Sequence, residues 1–253
     1  MTIAVFDPFS GAAGDMVLGA LIDIGLDVDQ LQAGLQALPL TGYRLEVIHT
    51  SQHGINGAHV NVVIDGDQPQ RDWAAIRPMI AESQLPEPVR QTALAIFGRL
   101  AEAEARVHGQ PVEQVHFHEV GAVDAIVDIC GTALGLYLLD VTEVFSLPPV
   151  VGDGWIRAQH GLMPVPAPAT AELLAMASVP LGRALPEGQD ARAELLTPTG
   201  AAILTTLATF AVPTFTATAV GYGFGSKQLP WPNGLRVWLG ERTHLPTHMQ
   251  ENS

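Results

Sequence analysis

The chain has 253 residues, 47% hydrophobic and only 15% charged, which fits a compact globular protein of one large or two small domains and excludes extensive disorder. Its formal net charge of −14, from 26 acidic and 12 basic residues, excludes a non-specific nucleic-acid binder and suits the holding of metal cations, or of an anion through a bridging metal. The single cysteine, Cys130, rules out an intramolecular disulfide and any CxxC zinc or redox site, and agrees with a cytoplasmic location.

The opening MTIAVFDPFSG lacks a basic start followed by an apolar run, so no secretory signal is expected. TIAVFD reads as a short buried strand, PFSGAAGD as a loop and MVLGALIDIG as an apolar helix, followed by a second helix over DVDQLQAGLQAL with Asp27 or Asp29 near its start. YRLEVIHT and AHVNVVID, joined by a Gly/Asn turn, suggest an antiparallel hairpin. Beyond the polar linker GDQPQRDW, two helices are expected at 72–83 and from Pro86 to about Val107, the longer one amphipathic. A third ends near Leu139, which gives a helical subregion over 72–140.

Strands are expected around EVFSLPPV and GWIRAQHG, then a proline-started helix in PVPAPATAELLAMA and a strand-like VPLG. The helix TPTGAAILTTLATF takes Thr197 as N-cap and Pro198 at its first position. FTATAVGYGFG and GLRVWLG close a domain over 1–241, and the polar tail 242–253 is expected to be disordered. Two apolar stretches, from Val120 and from Leu195, read as buried core helices and not membrane spans, because one carries Asp124 and Asp128 and the other Pro198 and several threonines. Strands mix with helices without repeats or strict alternation, so the fold class is α+β or mixed α/β, a mixed sheet with several packed helices.

The chemistry concentrates in QVHFHEVGAVDAIVDIC, where His116, His118, Glu119, Asp124 and Asp128 fall within thirteen positions. Asp124 and Asp128 are four apart on a helix and share a face, where two carboxylates repel unless a cation sits between them. His116 and His118 point the same way if extended. Imidazole suits nickel, zinc, copper or iron and carboxylate suits magnesium or manganese, so the pattern does not name the metal. The bland alternative gives these residues ordinary hydrogen bonds, caps and arginine partners.

In FDPFSGAAGDM, Asp7 ends a strand and Gly14 with Asp15 opens a helix, a place where backbone N–H groups can hold a phosphate or carboxylate. The spacing matches neither GxGxxG nor the P-loop, and GYGFGSK fails the P-loop too because Ser226 precedes Lys227. His160 sits in a loop before a proline-rich helix start, and Cys130 reads as a packing residue.

Seven motifs in fixed order across nearly the whole chain carry a family resemblance: FDPFSGAAGDM, AEAEARVHG, VHFHEVGAVDAIVDI, HGLMPVPAPAT, LTPTGAAIL, GYGFGSK and NGLRVWLGE. Together they resemble the LarC family of nickel insertion proteins. The resemblance implies a lyase-class enzyme that uses CTP with magnesium or manganese while inserting nickel into pyridinium-3,5-bisthiocarboxylic acid mononucleotide, giving one nickel–carbon and two nickel–sulfur bonds. A homo-oligomer is expected, with no nucleic-acid or membrane partner. On this reading His116, His118, Asp124, Asp128 and His160 contact the metal. His118, Glu119 and Asp124 do acid/base work, and Asp7, Ser10, Gly11, Gly14 and Asp15 form an anion or metal-phosphate site.

Two departures from that family stand out. Many members carry a histidine-rich loop after the second hairpin strand, whereas the equivalent DGDQPQRDW has no histidine. The family's full-length form also continues beyond LRVWLGE into a C-terminal domain associated with CTP binding and oligomerisation, whereas this sequence stops about a dozen residues later, as a truncated form, one product of a split gene or a stand-alone variant would. The alternatives from other classes are a carrier of nickel or of the finished cofactor, and a metal-dependent hydrolase.

Overall fold

The computed structural model describes residues 1–117, 121–159, 161–185 and 192–243. Strand β1 (Thr2–Asp7) is buried along almost its whole length, as its unbroken apolar run requires of a central strand. Helices α1 (Gly14–Asp23) and α2 (Val28–Leu35) follow, the latter capped by Asp27, whose side chain accepts from Gln30 N at 2.9 Å. The hairpin is β2 (Tyr43–Gln52) and β3 (Ile55–Ile64), in antiparallel register throughout. It turns at His53–Gly54, φ 49° and 80°, earlier than the Gly/Asn pair read from the sequence. A two-residue loop with both φ positive matches strand twist, so Ile55–Gly57 join β3.

Helices α3 (Trp73–Ala81), α4 (Glu87–His108) and α5 (Val123–Leu138) fill the expected helical stretch. Strand β4 (Val141–Ser146) stops before Pro148 and Pro149, which have no N–H to give a ladder, so the sequence reading ran it too long. Strands β5 (Trp155–Ala158) and β6 (Gly161–Pro164) make a separate two-stranded ribbon. Helices α6 (Pro168–Met176) and α7 (Pro198–Leu207), then β7 (Ala208–Thr209), β8 (Phe215–Phe224) and β9 (Gly234–Arg242), complete the described chain. The strand-like VPLG at 179–182 forms no strand. Most of the expected disordered tail, 244–253, lies outside the described residues.

The main sheet has seven strands in the order β2-β3-β8-β9-β1-β4-β7. β1 pairs antiparallel with β9 and parallel with β4, so the fold is mixed α/β. α1 lies against β3 and β8, and α5 packs against α1, α2 and α4. Thirteen of the sixteen residues of α5 are buried, which is why its sequence looks fit for a membrane. Among the described residues, no helix is long and apolar enough to cross one.

Candidate functional site

The loop after β1 decides where the site forms. Gly11, at φ 83°, turns the chain where a side chain would collide with Leu195, its added Cβ lying 2.0 Å from the Leu195 carbonyl oxygen. Ala12 is then stitched to a second segment: its N–H donates to Leu195 O at 3.0 Å, and Thr197 N–H donates to Ala12 O at 3.0 Å. These bonds set the starts of α1 and α7 side by side. Thr197 caps α7 by accepting from Gly200 N at 3.2 Å. From the third direction α5 comes so close to α1 that a Cβ on Gly14 would stand 2.3 Å from Asp128 Oδ2.

A cavity of about 410 Å3 opens between these helix ends, lined by Asp15, Asn61, Asp124, Asp128, Glu194 and Thr199 among others. A smaller cavity continues it, sharing Asp15, Glu194 and Thr197 and bounded by Lys227 and Asn233. The walls therefore carry four carboxylates and one lysine, while the N-terminal ends of three helices add partial positive charge. Such a mixture suits a cation held together with an anionic group.

Asp128 is 9% exposed, and its Oδ1 has no hydrogen-bond partner. Burial pushes its carboxyl well above the ordinary carboxylate range, and the neighbouring Asp15 and Asp124 push it further. Burial also raises Asp15, opposed by the Met16 N–H that its Oδ1 accepts at 2.8 Å and by His59 and Lys227. Asp124 is exposed at the rim, where its Oδ1 accepts from Ala125 N at 2.8 Å. An unpartnered buried carboxylate next to two others fits a site completed by a proton or a cation.

Of the residues singled out from sequence, Gly14, Asp15, Asp124 and Asp128 come together here. Asp7 does not line this cavity: it is 1% exposed and ion-paired with Arg183 and Arg236 at a different one. Ser10 is fully buried, its Oγ accepting from Trp231 Nε1 at 2.9 Å, and Gly11 serves the turn. The structure thus divides residues that the sequence reading grouped as one anion site. His116 is exposed, with Nδ1 3.8 Å from Asp72 Oδ2, and it does not line the acidic cavity. His118, Glu119 and His160 lie outside the described residues. Among the described residues, no three His, Cys, Asp or Glu side chains form a group that could hold a metal ion by themselves.

The sequence reading missed Glu194, Asn61 and Lys227 as site residues. Thr197 was legible only as a cap, and Lys227 only as the end of a failed P-loop pattern.

The family model described as "Nickel insertion protein" matches residues 4–252. A protein of Thermomicrobium roseum, named for nickel insertion, is 52% identical over 99% of this chain and 61% of its own length. The pyridinium-3,5-bisthiocarboxylic acid mononucleotide nickel insertion protein of Desulfitobacterium hafniense strain DCB-2 is 46% identical over 95% of this chain and 59% of its own. The chain thus spans about three-fifths of the length of these curated relatives. No solved structure gives a significant match. With the match running nearly end to end, the chain belongs to the nickel insertion protein family.

Proposed function

We propose that this chain carries out the nickel-handling step in the insertion of nickel into a pyridinium-3,5-bisthiocarboxylic acid mononucleotide, the substrate in the name of the D. hafniense relative. The observation that carries the reading is the buried, unpartnered Asp128 carboxylate facing Asp15 and Asp124 in one cavity. Nickel here is a substrate in transit. Two sulfurs and one carbon of the mononucleotide contribute to its coordination, so the protein needs to offer only part of a ligand set, and among the described residues the carboxylates do not close into a three-ligand group. Forming the nickel–carbon bond breaks a ring C–H bond, whose electron pair stays on carbon and becomes the bond to nickel, and releases one proton with no change in oxidation state. Burial and the neighbouring carboxylates raise the proton affinity of Asp128, and its deprotonated form is the carboxylate assigned to accept that proton. Asp124 and Asp15 hold the cation at the mouth, and His118 and Glu119 are assigned to the same acid/base and metal work.

CTP with magnesium or manganese belongs to this reading as the family's co-substrate, and the helix ends beside Asp15 offer a place for a metal-bound phosphate. A separate C-terminal domain and self-association are its proposed partners. The test is to incubate the purified chain with nickel, CTP, magnesium or manganese and the metal-free mononucleotide, and to look for the nickel adduct by mass spectrometry. Adduct formed by the chain alone, or on addition of the C-terminal domain of a relative, supports insertion, with Asp124→Asn and Asp128→Asn lowering the yield about a hundredfold. Stoichiometric nickel binding with no adduct in either case would make the chain a carrier and contradict the proposal.

A further inference from the structure

A second cavity, of about 570 Å3, opens at the other end of the β1–α1 loop and is lined by none of the carboxylates above. Among the described residues, its ionic groups are Asp7, Arg183 and Arg236. Asp7 Oδ1 accepts from Arg183 Nη1, and Oδ2 accepts from Arg236 Nε at 3.2 Å and Nη2 at 2.6 Å. A buried carboxylate needs one cation, and here there are two. Counted over the described residues, the cavity therefore holds an excess of one positive charge in a chain whose net charge is −14. Both arginine side chains stay about a third exposed, at 30% and 34%, and each guanidinium has N–H donors beyond those given to Asp7, Arg236 also bonding the Tyr222 side chain. Arg236 is held in place by stacking 4.2 Å over the Trp238 ring.

The remaining walls are flat and apolar. Phe9, Tyr222, Trp231 and Pro232 line the space, and Trp231 is clamped by its bond to Ser10 Oγ. Guanidiniums positioned by a carboxylate match the oxygens of a phosphate, and aromatic faces match a planar ring. Asp7 thus holds both guanidiniums in place and, among the described residues, leaves their combined charge half neutralised.

We infer that this cavity binds a mononucleotide, taking its phosphate on Arg183 and Arg236 and its ring against Trp231. The choice of nucleotide rests on the proposed function, but the binding requires neither nickel nor turnover. The shared chemistry, a planar ring bearing a phosphate, has two sources: the pyridine mononucleotide, held here before its ring moves to the acidic cavity, and a cytidine nucleotide.

The test titrates the nickel-free chain with pyridine-3-carboxylate mononucleotide and, separately, with cytidine monophosphate, following tryptophan emission and heat, with the parent nucleosides as controls. One of the two nucleotides should saturate the cavity, and which one identifies the source. The matching nucleoside should bind about tenfold more weakly or worse, as should the nucleotide to Arg183→Gln. That variant leaves Asp7 paired with Arg236 and so keeps the fold, which circular dichroism checks. Arg183→Lys should recover part of the affinity, and Trp231→Leu should lose the emission change. If neither nucleotide binds at millimolar concentration, or if Asp124→Asn abolishes binding while Arg183→Gln does not, the inference is overturned. Nickel insertion could still be found in that event, so the two failures are separable.

Discussion

Asp128 occupies a position that costs stability. Burial and two neighbouring carboxylates favour its protonated form, so the folded chain keeps a proton that the unfolded chain releases near the ordinary carboxylate pKa of about 3.9. Above that pH the unfolded state binds fewer protons than the folded one, and stability falls as pH rises through the raised folded pKa, then levels off. Asp15, also raised, contributes with the same sign. The variant Asp128→Asn removes the larger of these costs while keeping the shape. Urea denaturation should show it about 1–2 kcal/mol more stable than wild type at pH 8 and no more stable at pH 4. A gain of equal size at both pH values would mean that packing, and not the charge, sets the cost.

At the scale of elements, the site depends on how closely α1 approaches the sheet. Gly223 on β8 faces the α1 backbone, and a Cβ there would stand 1.8 Å from Met16 O and 2.4 Å from Ala20 N. Neither contact can be relieved by moving a side chain. Gly223→Ala should therefore cost about 3 kcal/mol and, by shifting α1, weaken nickel binding although residue 223 does not line the acidic cavity. Denaturation and calorimetry on the same preparation check both effects. This contact also shows where sequence reading ends. The helices and most strands could be read from periodicity, caps and prolines, as with Asp27 and Thr197. The pairing of β1 with β9 and β4, and the glycine that lets α1 down onto β8, depend on contacts distant in sequence that leave no local pattern.

For the molecule as a whole, the same limit decides how much of the site could be foreseen. Asp124 and Asp128 were legible because helical spacing puts two like charges on one face of an apolar helix, and Asp15 because it opens a helix after a glycine loop. Glu194 and Lys227 carry no local signal: the stitching of Ala12 to Leu195 and Thr197 brings Glu194 to Asp15, and Lys227 arrives on the loop after β8, where it donates to Glu194 O. Asp7 looked like part of the same loop site, yet strand β1 ends with its side chain turned to Arg183 and Arg236 at a separate cavity. An acidic chain has thus gathered four carboxylates into one cavity and two arginines into another, at opposite ends of a single loop.

The direct measurement is to locate nickel in crystals of the nickel-soaked chain by anomalous diffraction recorded on both sides of the nickel absorption edge. A peak between Asp15, Asp124 and Asp128, absent from Asp124→Asn crystals, is the expected result. A peak at exposed His116 with none in the acidic cavity would contradict the assignment of that cavity to nickel.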